Sequence, residues 1–402
     1  MLIQLGCDIM KIEISKMDHS GSGIGYVNDK ITFIPKTIIG DICDIEITKS
    51  HKNYNYGKVS QIIKNSDNRI KPKCPYYYEC GGCNISNLNY DMQLEFKKNK
   101  VINIFKRYLN IDINPKIIDS NDEYKYRNKI TYNKEDNYLG LVDIDNKIIE
   151  IDKCLLVSDK VNKLYNKIKK EDLSKVKKII IRECDNGYIL SVDGIMNFDN
   201  LKEYFLSIYL NNIPVYKKEE GYINIGDIKY RVSDKSFFQI NTKSIEKLYN
   251  LIIKYGNFSK NDKVIDLYCG VGSISIYISK YVNSVLGIEI IPKAIDDAKE
   301  NAKINNIDNV KFICGDVAKL IDKNISGDVL IVDPPRTGLD TYTCSIINNS
   351  KIKKLIYVSC DPMTLVRDIK NLDKYEFKDI TLVDMFPQTH HIESVILLQR
   401  KS

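Results

Sequence analysis

Hydrophobic and polar residues alternate along the first part of the chain with a period of two. Ile9–Ile14 and Ile42–Ile47 are clear examples, and glycines such as Gly21, Gly25 and Gly40 separate the runs. Alternation broken by glycine turns predicts short β-strands, each with one buried face. Five such strands in roughly 60 residues are typical of a small β-barrel, so we expect a barrel domain over residues 1–62.

The middle of the chain, residues 63–235, mixes helical and strand-like patterns. A helix is predicted near Leu88–Leu109, because apolar residues repeat on one side and lysines lie on the other. Lys178–Ile181 and Gly187–Val192 have the composition of strands. This mixture predicts a separate α+β domain.

Strand-like and helical segments alternate regularly in the last third of the chain. Pro292 opens a helical pattern that continues to Asn305, and Ser394–Leu398 supplies a closing strand. This alternation predicts a doubly wound parallel α/β sheet over residues 236–402, and such sheets bind ligands at the carboxyl ends of their strands. The five apolar runs are Val264–Tyr268, Ser284–Glu289, Val310–Cys314, Asp328–Val332 and Leu355–Ser359.

Composition narrows the class of protein. The 402 residues are 43% hydrophobic and 28% charged, which is ordinary for folded domains and excludes fibrous or disordered chains. No apolar run approaches the ~18 residues that cross a bilayer, and the start lacks the basic-then-apolar order of a signal peptide. We therefore expect a cytoplasmic enzyme or binding protein without membrane association.

Charge and cysteine content add two weaker indications. Lys and Arg number 60 against 53 Asp and Glu, and the resulting net charge of +7 suits a polyanionic partner but also follows from a general richness in lysine. Eleven cysteines are many for a reducing compartment, where disulfides are rare. Clustered cysteines therefore indicate metal or catalytic sites.

Three cysteines lie close together in the sequence. Cys74, Cys80 and Cys83 have the spacing C-x5-C-x2-C, and Cys154 follows after a strand-like run. No histidine is nearby in the sequence. Four thiolates would suit either a [4Fe–4S] cluster or a structural zinc ion, and spacing does not separate the two.

Two other segments combine cations with aromatic residues. Lys49–Lys58 interleaves lysine with tyrosine, which can pair phosphate contacts with base stacking, although a solvated hairpin loop has the same composition. Tyr124–Lys129 is either an RNA-contacting strand or a charged face of a sheet.

Glycine and acidic residues mark the ends of the first three strands of the predicted parallel sheet. Asp266–Gly272 has glycines that let the backbone approach a cofactor, and Glu289 ends the next strand, where it can bind ribose hydroxyls. Ser275 occupies the position of the third glycine of a dinucleotide-binding loop, which favours an adenosyl cofactor without a pyrophosphate. Asp316 follows the third strand and can accept a hydrogen bond from the adenine amino group.

Potential catalytic groups follow the fourth and fifth strands. Asp333–Arg336 and Ser359–Pro362 leave a carboxylate and the Cys360 thiol at adjacent strand ends, facing one crevice. The arginine of the first motif and Arg367 would favour the thiolate if they lie nearby. Glu393 starts the last strand and adds a carboxylate at the edge of the crevice. The alternative interpretation of the cysteine is a small buried hydrophobic residue.

Five motifs spread over the chain belong together. They are FFQIN at 237–241, DLYCGVG at 266–272, DPPR at 333–336, SCDP at 359–362 and HHIES at 390–394. This set resembles the RNA 5-methyluridine methyltransferase family, whose members methylate carbon 5 of uracil with S-adenosylmethionine, and the first 60 residues resemble the TRAM domain of these enzymes. The resemblance implies a Rossmann-like class I methyltransferase sheet, an OB-like TRAM barrel and a central iron–sulfur domain.

The resemblance also implies roles at the matching positions. Cys360 would be the nucleophile, Glu393 the general base, and Phe237 would stack near the target base. Ser273 is a departure, because asparagine is familiar there, although a hydroxyl can still hydrogen-bond. S-adenosylmethionine would be held by Gln239, Tyr268, Ser273, Glu289, Asp316 and Asp333.

A substrate and a second cofactor follow from the same resemblance. The ribosomal-RNA branch of the family carries an iron–sulfur cluster with this cysteine spacing, whereas the tRNA branch generally lacks both the cluster and the TRAM domain. We therefore expect methylation of a single-stranded or flipped-out uridine in 23S rRNA, without an obligate protein partner. The [4Fe–4S] ligands would be Cys74, Cys80, Cys83 and Cys154.

Four alternatives differ in substrate or in class. The same chemistry could act on a tRNA uridine, or the chain could be an RNA-binding iron–sulfur protein without catalysis. Against the second alternative stands the presence of all four of Gln239, Asp333, Cys360 and Glu393. A radical methylthiotransferase needs a C-x3-C-x2-C triad, and here the first gap is five residues. An amino-group methyltransferase has an aromatic residue where this chain has Arg336.

Overall fold

The computed structural model describes residues 10–136, 138–234, 238–324 and 326–401, so Phe237 and Ile9 lie outside the described residues. The chain divides into two compact units. The three-domain division with boundaries at residues 62 and 235 stays a prediction. The described residues of Met1–Lys100, Leu141–Ile151 and Phe386–His390 form the first unit, and those of Val101–Gly140, Asp152–Met385 and His391–Ser402 form the second.

Six strands of the first unit form one sheet, where the sequence predicts five. They are β1 (Met10–Glu13), β2 (Lys16–Met17), β3 (Gly23–Val27), β4 (Lys30–Ile34), β5 (Ile42–Ser50) and β6 (Tyr54–Lys64). The order across the sheet is β1-β5-β6-β4-β3-β2, and among the described strands only β4 and β6 pair in parallel. Alternate apolar residues, among them Ile12, Ile34 and Ile45, form its core. Strand formation is therefore confirmed, while closure into an OB-like barrel stays a prediction.

A long helix follows these strands, α1 (Tyr90–Leu109), and confirms the helix predicted near Leu88–Leu109. The boundary between the two units falls within it, after Lys100. In the second unit, its Val101 and Phe105 are fully buried in the core, as the amphipathic pattern predicts. The chain then forms a short strand, β7 (Lys116–Ile118).

The middle of the chain forms a seven-stranded mixed sheet. Its strands are β8 (Lys129–Glu135), β9 (Tyr138–Val142), β10 (Ile148–Glu150), β11 (Val176–Cys184), β12 (Gly187–Gly194), β13 (Ser207–Leu210) and β14 (Ile213–Lys217), in the order β10-β9-β8-β11-β12-β13-β14. In the second unit α2 (Asp159–Ile168) packs on β8, where the rings of Tyr165 and Tyr132 stack 3.9 Å apart. A hairpin of β15 (Gly221–Ile225) and β16 (Ile228–Val232) follows. The α+β character predicted for this region is confirmed.

The last part of the chain forms an eight-stranded sheet in the second unit. Its strands in this region are β17 (Lys263–Leu267), β18 (Ser284–Glu289), β19 (Val310–Cys314), β20 (Val329–Val332), β21 (Lys354–Ser359), β22 (Tyr375–Val383) and β23 (Glu393–Arg400). The helices are α3 (Thr242–Gly256), α4 (Ser273–Ile278), α5 (Pro292–Ile304), α6 (Val317–Asn324), α7 (Thr341–Asn349) and α8 (Pro362–Asn371). The order is β19-β18-β17-β20-β21-β23-β22-β7, so the predicted doubly wound sheet is confirmed.

Three features of this sheet were not predicted. The strand β22 precedes the closing strand, and β7 adds to the far edge of the sheet by pairing in parallel with β22. The closing strand β23 runs antiparallel to both of its neighbours, β21 and β22. Its amino end therefore lies at the same edge as the carboxyl end of β21. Among the described residues, the structure contains no helix that is long and apolar enough to span a membrane.

Candidate active site

The turn from β17 into α4 is tight and depends on glycine. Tyr268, Gly270 and Gly272 all have positive φ angles, of 63°, 54° and 75°. A Cβ atom at Gly272 would lie 2.6 Å from the Phe312 ring, so only glycine fits there. A Cβ atom at Gly270 would meet no heavy atom within 4 Å, so this side of the turn is open. An open turn at the carboxyl end of a strand can accommodate a cofactor.

Glu289 is held against this turn at the end of β18. Its carboxylate accepts hydrogen bonds from the backbone N–H of Gly270, at 3.2 Å, and of Ile291, at 2.9 Å. The side chain is buried. Asp316 lies just before α6, and its Oδ1 accepts from the backbone N–H of Ala318 at 3.0 Å. Both acids thus stand at neighbouring strand ends, where the sequence predicted the ribose and adenine contacts.

Asp266 is a buried acid on β17, and the sequence predicted no separate role for it. The side chain is fully buried, and its Oδ2 accepts from the Ser275 hydroxyl at 2.5 Å. Its Oδ1 has no hydrogen-bond partner among the described residues. Burial raises the pKa of Asp266 to about 7. Ser275, which stands at the position of the third glycine of a dinucleotide-binding loop, is therefore the hydrogen-bond partner of the Asp266 carboxyl.

The raised pKa of Asp266 should make the free energy of unfolding depend on pH. Because the folded protein holds the Asp266 proton more tightly than the unfolded chain, its contribution to stability is present below about pH 4 and is lost as the pH rises through 7. Asp266→Asn should therefore stabilise the protein more at pH 8 than at pH 5, by on the order of 2–4 kcal/mol. Thermal unfolding at both pH values measures this difference.

Asp296, an exposed acid on α5, offers a matched control. Asp296→Asn should shift the unfolding temperature equally at both pH values. An equal shift for Asp266→Asn would contradict the role of burial in holding the Asp266 proton.

Asp333 lies beside Tyr268 at the next strand end. Leu267 pairs with Val332 across β17 and β20, so the residues that follow them leave the sheet together. Burial, and then the charge of Asp266, raises the pKa of Asp333 to about 7. The Tyr268 side chain packs against the core of the second unit and hydrogen-bonds to Thr343.

Cys360 and Glu393 lie at the carboxyl edge of the same sheet. Ser359 pairs with Ser394, so Cys360 directly follows β21 where Glu393 begins β23. Glu393 is buried, and burial together with the charge of Asp333 raises its pKa to about 8. Burial raises the pKa of Cys360 to about 11, and the charge of Glu393 adds to the rise. The structure therefore brings thiol and carboxyl into one electrostatically coupled group.

The two arginines expected beside Cys360 differ in their roles. Arg336 lowers the pKa of both Cys360 and Glu393, as expected, but burial and the neighbouring carboxyls outweigh it. Arg367 binds Asp368 instead, at 2.6 Å, and donates to the Thr337 carbonyl at 2.7 Å. Arg336 therefore favours the thiolate of Cys360 as the sequence suggested, whereas Arg367 is engaged elsewhere.

Asp368 and Arg367 together brace the loop after Asp333. Asp368 is fully buried and accepts from the Leu339 backbone N–H, at 2.7 Å, and from the Tyr357 hydroxyl, at 2.6 Å. Arg367 also donates to the Leu339 carbonyl at 3.0 Å. Gly338 turns the loop with a φ of 71°. This loop carries Arg336, so the brace fixes the only cation that acts on both Cys360 and Glu393 among the described residues.

Gly338→Ala should disrupt this brace. Its Cβ would clash with Asp368 Oδ2 and lie 2.6 Å from Arg367 Nη2. We expect a loss of unfolding free energy above the ~1–2 kcal/mol that a positive φ alone costs alanine, and a lower turnover number. Gly226→Ala is the matched control, since Gly226 also has a positive φ, of 54°, but its nearest neighbour lies at 3.4 Å. Equal losses in the two variants would show that the brace has no role.

Gln239 and Ser273 are placed by contacts within the second unit. The Gln239 carbonyl accepts from the Asn128 side chain at 2.9 Å, and Asn241 caps α3 while donating to the Met385 carbonyl at 3.1 Å. The Ser273 hydroxyl hydrogen-bonds to the buried Tyr249. Serine therefore has a buried partner at the position where the family resemblance implied asparagine.

The predicted metal ligands are divided between the units. Cys74, Cys80 and Cys83 belong to the first unit, where all three act electrostatically on Lys36, which donates to the carbonyls of the latter two. The Gly82 N–H donates to Cys80 Sγ at 3.3 Å. Cys154 belongs to the second unit. Within the described part of the chain, no group of three or more His, Cys, Asp or Glu side chains has an arrangement that could hold a metal ion.

The sheet order and the acids at its strand ends are those expected of an S-adenosylmethionine-dependent methyltransferase. Residues 215–323 and 317–401 match the family model of tRNA (uracil-5-)-methyltransferase, and residues 8–60 match the TRAM domain. An uncharacterized RNA methyltransferase of Staphylococcus aureus is 33% identical over 98% of each chain, and one of Clostridium acetobutylicum is 33% identical over 97% of this chain and 96% of its own. The chain belongs to the RNA uracil-5-methyltransferase family.

A solved structure matches nearly the whole chain. The tRNA (uracil-54, C5)-methyltransferase of Pyrococcus abyssi, in complex with S-adenosyl-L-homocysteine, is 27% identical with a TM-score of 0.78, and the match covers 97% of this chain and 99% of that one. A tRNA enzyme thus has an architecture similar to that of this chain over almost its full length. The expectation that a TRAM domain separates the rRNA branch from the tRNA branch is therefore not supported.

Proposed function

We propose that this chain methylates carbon 5 of a uridine in 23S rRNA, with Cys360 as the nucleophile and Glu393 as the general base. The observation that carries the proposal is the coupling of these two side chains at the ends of β21 and β23, beside Asp333. A thiol next to a carboxyl of raised pKa suits covalent addition followed by proton removal.

The chemistry of uracil explains why both groups are needed. Carbon 5 is a weak nucleophile. Cys360 loses its proton to solvent and adds as thiolate to carbon 6, which makes carbon 5 an enolate carbon. Carbon 5 then takes the methyl group as its bond to the sulfonium sulfur breaks, and S-adenosylhomocysteine leaves. The methylated adduct keeps a proton on carbon 5. Glu393 takes that proton, the ring double bond re-forms, and the sulfur leaves as thiolate. Burial raises the pKa of Glu393 to about 8, so its carboxylate, the form that accepts the carbon-5 proton, is a stronger base than that of an exposed glutamate.

Residues at the neighbouring strand ends fit S-adenosylmethionine, which supplies the activated methyl group. The open side of the turn at Gly270 leaves room for a ligand, and the Glu289 carboxylate is already oriented by two backbone N–H groups. Asp316 would contact the adenine, and Asp333 would lie between the cofactor and the uracil. Gln239, Tyr268 and Ser273 would complete the site.

Transfer of labelled methyl groups tests the substrate. The full-length protein should methylate unmodified 23S rRNA, with the label recovered as 5-methyluridine, and should leave unmodified tRNA unlabelled. Label in tRNA alone would overturn the 23S rRNA assignment and keep the chemistry. Label in a nucleoside other than 5-methyluridine would overturn the chemistry itself.

A tRNA uridine is the second candidate substrate. The match to the Pyrococcus abyssi enzyme over 97% of the chain favours it, because that protein acts on tRNA. The cysteine spacing favours ribosomal RNA, since the resemblance associates this spacing with the rRNA branch.

An iron–sulfur cluster on Cys74, Cys80, Cys83 and Cys154 rests on the sequence alone. The arrangement of the described residues does not form a metal site, so no step of the reaction is assigned to a cluster. Anaerobic purification followed by iron and sulfide analysis tests it. About four iron and four sulfide per chain would support the cluster, whereas zinc or no metal would contradict it.

A further inference from the structure

Four aromatic side chains, three of them half-buried and one exposed, form a cluster on the six-stranded sheet of the first unit. We call Phe33, His51, Tyr54 and Tyr56 the aromatic patch. The rings of His51 and Tyr54 stack with centroids 4.6 Å apart, and Tyr54 and Tyr56 meet edge to face at 5.7 Å. The Phe33 ring lies 5.8 Å from Tyr56 and 6.0 Å from Tyr54. The rings therefore hold one another in place.

Strand register puts this patch on the face of the sheet that points away from the core. Phe33 on β4 pairs with Tyr56 on β6, and the alternate pair of Thr32 and Asn55 is buried. Tyr56 is 43% exposed. Contiguous aromatic surface that reaches solvent is a feature of interaction sites.

Lysines surround the aromatic patch. Lys49 pairs with Tyr56 across β5 and β6 and is exposed, and Lys52 and Lys58 are exposed on either side of the tyrosines. The Lys30 ammonium donates to the His51 carbonyl at 3.3 Å. One acid, Glu46, pairs with Lys58. Aromatic faces bordered by cations are what single-stranded nucleic acid requires, because bases stack on the rings while phosphates meet the cations.

We propose that the aromatic patch binds an unpaired segment of the RNA substrate by stacking bases on Tyr54 and Tyr56, with Lys49 and Lys58 facing its phosphates. This proposal rests on the proposed function, which makes RNA the substrate, and it adds a requirement on the structure of that RNA. The substrate must offer unpaired nucleotides besides the target uridine. A duplex cannot satisfy this site, since its bases are stacked on one another and their faces are covered.

A single tryptophan can report on the stacking directly. The protein has no tryptophan, so Tyr56→Trp introduces the only one into the full-length chain. A single-stranded RNA of about 12 adenosine and cytidine residues lacks uridine and so cannot occupy a uracil site. This RNA should quench the tryptophan fluorescence, and a duplex of the same sequence should not. Absence of quenching, or equal quenching by the duplex, would overturn the proposal.

Paired substitutions separate stacking from shape. Tyr54→Leu with Tyr56→Leu removes both rings but keeps apolar side chains, and should weaken binding of the uridine-free RNA roughly 5–150-fold per lost stack. Tyr54→Phe with Tyr56→Phe is the matched control, because it keeps both rings, and should bind nearly as tightly as the unaltered protein. Equal affinity of the two double variants would contradict stacking and would leave the patch as a surface for an apolar protein partner.

Methylation kinetics distinguish this inference from the proposed function. The leucine variants should raise KM for the long RNA substrate and leave kcat unchanged, because the patch binds RNA and does not touch the reacting atoms. Failure of the unaltered protein to methylate any RNA would refute the proposed function while the fluorescence result still decides on the patch.

Discussion

Replacing Cys360 with alanine is expected to abolish methyl transfer while leaving S-adenosylmethionine binding intact. Without the sulfur, carbon 5 of uracil is not activated, so the rate should fall by on the order of 10⁴-fold or more. The residue directly follows β21, and its side chain is only partly buried, so truncation should cost little stability. Initial rates with labelled methyl donor, together with calorimetric titration of the cofactor, measure both effects.

Cys314 provides the control for this variant. It is an exposed cysteine at the end of β19, which three strands separate from β21 in the same sheet. Cys314→Ala should keep nearly full activity. Methylation by Cys360→Ala within about tenfold of the unaltered rate would contradict the role of Cys360 as nucleophile.

Replacing Glu393 with glutamine should stop the reaction after methyl transfer. The amide cannot take the proton from carbon 5, so the RNA should remain covalently attached, and release should slow by roughly 10²–10⁴-fold. The Glu393 carboxylate raises the pKa of Cys360 and the neutral amide does not, so adduct formation itself should not be impaired. A labelled RNA band that migrates with the denatured protein measures the accumulated adduct.

A surface glutamate on the neighbouring strand gives the comparison. Glu376 on β22 is partnered with Lys378 near the protein surface, and Glu376→Gln should turn over normally without a persistent adduct. Normal turnover by Glu393→Gln would refute its role as the base. A block of adduct formation itself would place its function at an earlier step.

The doubly wound sheet was predictable because its strands are continuous apolar runs separated by helical periodicity. The acids at the strand ends followed from the same pattern, since the carboxyl ends of parallel strands meet at one edge. The pairing of Cys360 with Glu393 required more than periodicity. The two residues meet because β23 runs antiparallel beside β21. The motif resemblance identified both residues but did not predict this pairing of strands.

Other features depend on contacts between distant parts of the sequence. β7 joins the sheet from a position about 260 residues before its partner β22, and three residues carry too little pattern to reveal it. The brace between Asp368 and the loop of Gly338 has no local signal either, because it joins a helix to a turn 30 residues away. The pKa of Cys360 is raised mainly by burial, and the arginines that lie near it in the sequence gave no indication of that burial.

The sequence motifs do not predict which RNA is the substrate. The motifs describe chemistry at one uracil, and the same motifs serve enzymes with different RNAs. The match to a tRNA enzyme over nearly the whole chain removes the argument from domain content. We therefore expect substrate choice to depend on surfaces outside the strand-end residues, such as the aromatic patch.

The most direct test of the account uses RNA in which the target uridine is replaced by 5-fluorouridine. Addition of the sulfur and methyl transfer can proceed, but a base cannot remove fluorine as it removes a proton, so the adduct should persist. After digestion, mass spectrometry should find the methylated fluorouridine on Cys360 and on none of the other ten of the eleven cysteines. An adduct on another residue, or methyl transfer without any adduct, would contradict the mechanism.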